Sequence, residues 1–498
     1  MRRMTWQLVA MALYMAGMLY IGYRATKQVK DLDDYMLGGR RLSPTVAALS
    51  AGASDMSGWL MMGLPGALYA AGLFQAWIAI GLTIGAWLNW LLVAPRLRSY
   101  TEVAGNSITI PSFFQNRFKH DSRVMRIAAG AIILVFFTFY VSSMMVAAGK
   151  FVESTFNQPY LVGMLVVSAI VVTYTLFGGF LGATYTDVAQ GFLMLIALIV
   201  VPIIALVASG GVDGVVEGIR TVEAMDGQER LSLAAGGTLV GGISAAAWGL
   251  GYFGQPHIIV RFMAIRSARE TKAARRIGIG WMILGLLGAC ASALVGIAYF
   301  NQHPNEFVSN DPEQVFLVLA SEMFHPFLAG LVLAAVLAAI MSTLSSQLIV
   351  CSSAVIEDLY KLFTKRTMTK RGEVMAGRLG VLIVSVIAIL LALNDDNPAV
   401  LALVAFAWAG FGASFGPTII LSLFWKRLTS QGALWGMVAG AVVAFIWGQT
   451  PALSGMLYEI VPGFLANLVV AVVVSLATAP PSAEVQAEFE EAVAASKA

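Results

Sequence analysis

Long, continuous apolar runs organise this chain. Thirteen of them lie near residues 5–23, 42–70, 74–94, 125–149, 162–180, 187–209, 236–257, 277–300, 327–354, 376–393, 398–424, 431–448 and 456–478. Each is long enough to cross the roughly 30 Å hydrocarbon core of a bilayer as a helix. None shows the apolar–polar alternation of a barrel strand, so a closed β-barrel is excluded. The pattern predicts an all-α integral membrane protein of about thirteen spans, numbered 1 to 13 below.

Composition sharpens that reading. The chain has 498 residues, of which 58% are hydrophobic and 12% charged; a soluble domain carries roughly 25% charged residues. The first run ends in Arg24 and Lys27 without a small-residue cleavage site, so it is expected to stay as a span rather than leave as a signal peptide. Cys290 and Cys351 both fall inside apolar runs, which argues against a disulfide framework. No Walker A sequence is present, so ATP is not the expected energy source. Gly249-x-Gly251-x-x-Gly254 matches the dinucleotide fingerprint, but no strand and no soluble βαβ unit surround it.

The charges give an orientation. Of 31 Lys and Arg residues, 25 fall in alternate loops, at 24–41, 95–126, 258–276, 360–378 and 425–430. The positive-inside rule then puts the N-terminus outside and the C-terminus in the cytoplasm. Arg40 and Arg41 read as anchors on that inner side, and the outer loops are acidic. The tail from Pro480 is too short for a sensor domain.

Two spans are interrupted. Span 2 carries Ala51-Gly-Ala-Ser-Asp-Met-Ser-Gly58, and span 7 carries Trp248-Gly-Leu-Gly-Tyr-Phe-Gly-Gln-Pro256. Their starts are five spans apart. Paired broken helices point to an inverted repeat with a binding site at the midplane. Asp55 sits in the first break, and a carboxylate at membrane depth is costly unless it serves a cavity, an ion or a partner. It reads either as part of a cation site or as a cap on the following half-helix. In span 9, Ser342, Thr343, Ser345 and Ser346 lie on adjoining helical positions. With the carbonyls of Ala53, Met56 and Ala339 they suit a small hard cation, although serines also bond back to their own helix. Asp187 reads as a helix cap or a secondary ion ligand, and His257 as a surface or interface residue. Trp248 and Tyr252 share a face and, with Tyr140, are candidates for the apolar wall of a small-molecule pocket.

At Ser50–Trp59, Trp248–His257, Leu337–Thr343, Asp33–Arg40 and Ala405–Ala413 the chain resembles the sodium:solute symporter family, and within it the proline-carrying branch. The resemblance covers about residues 5 to 480. It implies a LeuT-like core of two inverted five-helix repeats: a first peripheral helix and loop (1–41), repeats at 42–209 and 210–424, peripheral helices at 425–479 and a cytoplasmic tail (480–498). It implies a bacterial inner-membrane symporter, not an enzyme, with sodium as the coupling ion and L-proline as substrate. No nucleic acid and no obligatory protein partner are expected beside the lipid bilayer. Sodium would be held by the backbone of Ala53, Met56 and Ala339 and the hydroxyls of Ser342 and Thr343. Asp55 is linked to sodium coupling, and relatives with a second sodium place it near Asp187, Ser345 and Ser346. Proline-binding positions would be Ser57, Trp59, Tyr140, Trp248, Tyr252 and Pro256, and the substrate carboxylate is expected to meet free N–H groups near Ser57 and Gly58 at a half-helix N-terminus. Rival readings are a proton-coupled carrier using Asp55, a receptor on the same fold and a membrane enzyme.

Overall fold

The computed structural model describes residues 2–28, 34, 37–119, 124–355, 369–393 and 399–497. Asp33, Tyr35 and Met36 of the Asp33–Arg40 motif, and residues 360–368 of the basic loop 360–378, lie outside the described residues. Among the described residues the chain is helical, with one isolated bridge between Leu42 and Ile265.

Among the described residues, ten helices are long and apolar enough to span a membrane. The difference from the thirteen apolar runs has a local cause in each case. Spans 2 and 7 are broken into short helices. Spans 5 and 6 run together as one helical stretch, Tyr160–Ala208, interrupted by Gly179 at φ 56° and ψ −150°. A Cβ on Gly182 would lie 3.8 Å from the carbonyl oxygen of Tyr174. Eight residues of straight helix would separate these by about 12 Å, so the chain folds back at Gly179. Glycine permits that backbone, which a side chain would oppose.

The break in span 2 follows from its sequence. Ser43 caps helix Pro44–Asp55, which stops at Met56 (φ −79°, ψ 80°). The chain resumes through a widened turn, Trp59–Gly63, into Leu64–Ala71. Pro65 has no N–H to close an ordinary helical turn, which accounts for the widening. In span 7, helix Leu239–Ala246 tightens at Ala247–Gly254, and Gln255 is extended (φ −81°, ψ 106°). Pro256 imposes that geometry on the residue before it and opens helix Pro256–Ala264.

Both broken spans pack on span 9, Pro326–Ser353, the most deeply buried of the ten, or on span 11, Val400–Phe424. Contact with span 11 is close. A Cβ on Gly251 would sit 1.8 Å from Trp408 Nε1, which donates a 2.7 Å hydrogen bond to the Trp248 carbonyl. Gly251→Ala is therefore expected to lower the melting temperature of the purified protein, by the ~1–3 kcal/mol of an overpacked core. An unchanged melting curve would show that Trp408 moves aside freely.

Three sequence expectations need correction. His257 is fully buried, not on the surface, with its ring edge-on to Phe137 (5.5 Å) and Tyr140 (5.8 Å). The helix it opens is buried along its whole length. For the same reason Arg261 belongs to the protein interior and not to a basic loop. Arg40 is more than a charge anchor: it donates to the Met263 carbonyl (2.8 Å), the Ser107 carbonyl (2.7 Å), Thr101 and Asn106. The tail forms helix Ala483–Ala495, docked by Lys119 on Glu484 (2.5 Å) and Glu488 (2.8 Å).

Candidate functional site

The hydroxyl-rich turn of span 9 faces the opened end of span 2. Ser342 Oγ lies 2.6 Å from the Ala53 carbonyl oxygen and 3.1 Å from that of Ala339. Thr343 Oγ1 lies 3.3 Å from the same Ala339 carbonyl. All four residues, and Met56 beside them, are fully buried. Four oxygens from two helices thus converge where one helix stops making its own hydrogen bonds. Like Thr343, Ser345 bonds back to its own helix, donating to the Ser342 carbonyl (3.0 Å).

Asp55 does not cap the half-helix that follows it. Its Oδ2 accepts a hydrogen bond from Tyr252 of span 7, and its Oδ1 is buried without a partner. The two breaks are therefore joined by a carboxylate–phenol bond. Asn89 of span 3 steadies the Tyr252 end by donating 2.8 Å to its carbonyl. A small cavity lies alongside, lined by Asp55, Met56, Asn89, Tyr252 and Met282 among others.

The aromatic candidates form a stack. Trp59 and Trp248 have ring centroids 6.3 Å apart, and Trp59 Nε1 donates to the Asp55 carbonyl at 3.0 Å. Trp248 also stacks on Tyr458 (5.5 Å) and Trp408 (6.4 Å), and Tyr252 meets Trp408 edge-on at 5.1 Å. Gly58 packs against Ile340 of span 9 and Ala147 of span 4. Tyr140 is buried against His257, and its hydroxyl has no hydrogen-bond partner. Pro256 contributes through the backbone, by starting the second half of span 7. The N–H of Ser57 is already bonded to the Asp55 carbonyl (2.9 Å) and that of Trp59 to Ser57 Oγ (3.4 Å). Ser57 is thus not a ready amide donor for a substrate carboxylate.

Asp187 is no helix cap either. It lies inside the second limb of Tyr160–Ala208 and forms a fully buried ion pair with Arg261 at 3.0 Å. Trp408, Tyr458, Asn89 and Arg261 all escaped the sequence reading. Only Trp408 had a signal, within the Ala405–Ala413 motif.

The sodium:solute symporter family profile matches residues 35–440. The chain belongs to the sodium:solute symporter family. Among similar proteins, the high-affinity proline transporter PutP of Bacillus subtilis is 53% identical over 474 residues, covering 95% of this chain and 98% of the relative. The sodium/proline symporter of Escherichia coli is 48% identical over 487 residues, covering 97% and 96%. Among solved structures, a Na+-coupled sialic acid symporter in a substrate-bound outward-open state aligns with a TM-score of 0.79 at 20% identity, covering 96% of this chain and 99% of that one. MhsT in complex with L-phenylalanine aligns with a TM-score of 0.54 at 14% identity, covering 86% and 98%. The likeness to both places the chain in the LeuT-type transporter fold. This family comprises membrane symporters, not enzymes.

Proposed function

We propose that this protein couples inward sodium flow to L-proline uptake across a bacterial cytoplasmic membrane by alternating access. The observation that carries the proposal is the contact of the Ser342 hydroxyl with the Ala53 carbonyl at 2.6 Å, which puts span 9 hydroxyls on the opened end of span 2. The names of relatives 48% and 53% identical over nearly the whole chain supply the substrate. The basic loops favour an external N-terminus and a cytoplasmic C-terminus. The five-span separation of the two breaks favours repeats at 42–209 and 210–424, with 1–41 and 425–479 peripheral and 480–498 a tail.

Sodium would be held by the carbonyls of Ala53, Met56 and Ala339 and the hydroxyls of Ser342 and Thr343. Those hydroxyls now spend their protons on the carbonyls. An entering cation exchanges these O–H···O bonds for ion–oxygen contacts and sets the spacing of spans 2 and 9. Asp55, unpaired at one oxygen, supplies negative charge at the break and holds Tyr252 in place. L-Proline would bind between the breaks, with its ring against Trp59, Trp248 and Tyr252. Ser57, Gly58, Tyr140 and Pro256 would shape the polar end. The aromatic rings already touch one another, so they must part to admit substrate. One net charge moving inward at −100 mV releases about 2.3 kcal/mol, enough to drive accumulation. Protons need no cage of oxygens, and the four converging oxygens therefore favour sodium over a proton on Asp55.

Sodium that pre-orders the proline site must itself be held tighter by proline, and by the same factor. Equilibrium binding on purified protein tests this: sodium should lower the proline Kd, and proline the sodium Kd, in equal ratio. Proline binding that is blind to sodium would remove the coupling. Within the site, Thr343→Ala is expected to raise the half-activating sodium concentration about fivefold, on the order of the ~1 kcal/mol of one hydrogen-bonding group. Uptake measured against sodium at saturating proline checks it, and an unchanged curve would take Thr343 out of the site.

A further inference from the structure

Arg261 sits in surroundings that would suit a metal cation. Its Nη2 lies 3.0 Å from Asp187 Oδ2 and 2.7 Å from Ser346 Oγ, its Nε 3.0 Å from Ser50 Oγ, and its Nη1 2.5 Å from the His257 carbonyl oxygen. Ser50 in turn donates to Asp187 at 2.7 Å. A carboxylate, two hydroxyls and a carbonyl, drawn from spans 2, 6, 7 and 9, thus surround a guanidinium. Asp187 and Arg261 side chains are 0% and 1% exposed. Burying such a pair is costly, and nothing in the sodium and proline sites above accounts for it. Acceptors are also in surplus here. Asp187 Oδ1 is buried with no partner, as are Thr184 Oγ1 and Gln190 Oε1, three residues to either side on the same helical face.

Ser346 lies one helical turn beyond Ser342. Span 9 therefore carries two oxygen clusters on successive turns, one built around backbone carbonyls and one around Arg261. We propose that Arg261 is a tethered cation filling a second cation position, and that it thereby limits the transporter to one sodium per proline. The guanidinium neutralises Asp187 and supplies fixed positive charge to the four helices, so a second sodium finds no uncompensated negative charge and no favourable field. Without the guanidinium, Asp187, Ser50, Ser346 and the His257 carbonyl form an oxygen cage with one negative charge. This inference rests on the sodium–proline reading above.

The test compares purified full-length variants in proteoliposomes, counting radiolabelled sodium moved per radiolabelled proline and the steepness of sodium activation. Wild-type protein should move one sodium per proline. Arg261→Ala should approach a twofold higher ratio, with steeper sodium activation, and millimolar guanidinium should return both towards wild type. Arg261→Lys keeps a tethered charge and should stay at one. Asp187→Asn combined with Arg261→Ala removes the carboxylate and should also stay at one. If Arg261→Ala folds but does not transport, equilibrium sodium binding replaces the flux ratio, and two bound ions are expected. A single sodium for Arg261→Ala by either measure, or a second sodium for Arg261→Lys, overturns the proposal. Wild-type protein with no sodium-dependent uptake overturns the symport reading itself.

Discussion

Asp55→Asn is expected to lower sodium-driven proline uptake by about a hundredfold, the ~2.7 kcal/mol expected when a charge-dependent contact is lost in a buried site. The substitution isolates charge from shape. Asparagine keeps an oxygen where Asp55 Oδ2 accepts the Tyr252 hydroxyl, so the link between the two breaks can persist. What disappears is the negative charge at the opened end of span 2. Loss of a buried carboxylate with one unpartnered oxygen should leave stability unchanged or raised. Membrane abundance and melting temperature should therefore hold while transport collapses, which separates this effect from misfolding. Full transport by the folded variant would reduce Asp55 to a structural acceptor for Tyr252.

Trp248→Ala should raise the proline concentration for half-maximal uptake about thirtyfold, in line with the ~2 kcal/mol carried by a buried aromatic anchor. Trp248 touches Trp59, Trp408 and Tyr458 at once, so it is the hub of the stack that, on the proposed function, parts for substrate. Sodium binding in the absence of proline should barely change, because the oxygens around Ala53 and Ser342 belong to other helices. Trp248→Phe, which keeps a ring, should fall between the two. Parallel loss of sodium and proline affinity would instead mean that truncation collapses the core, and normal proline affinity would place the pocket elsewhere.

The breaks were legible because their causes are local. Glycines and prolines clustered at 51–65 and 248–256 act on the backbone of their own segment, and the helices open there. The apolar runs were legible for the same reason, although Gly179 folds spans 5 and 6 back without ending helical structure between them. Long-range pairings were not legible. Asp187 reads as a cap because it opens span 6 after a short turn, yet its partner Arg261 comes from the broken span 7 and looks, in sequence, like one more loop charge. Asp55 reads as a possible cap until Tyr252 is seen to reach it across the site. Tyr458, from the far end of the chain, carries no local mark of its contact with Trp248. Such contacts are properties of packing between helices, which periodicity along one helix does not encode.

The central claim, that sodium flow drives proline accumulation, is tested most directly by radiolabelled L-proline uptake into proteoliposomes at clamped pH, with and without an inward sodium gradient. The account predicts accumulation above equilibrium only with the sodium gradient, strengthened by an inside-negative voltage. Accumulation driven by a pH gradient with choline in place of sodium, or no proline uptake under either gradient, would contradict it.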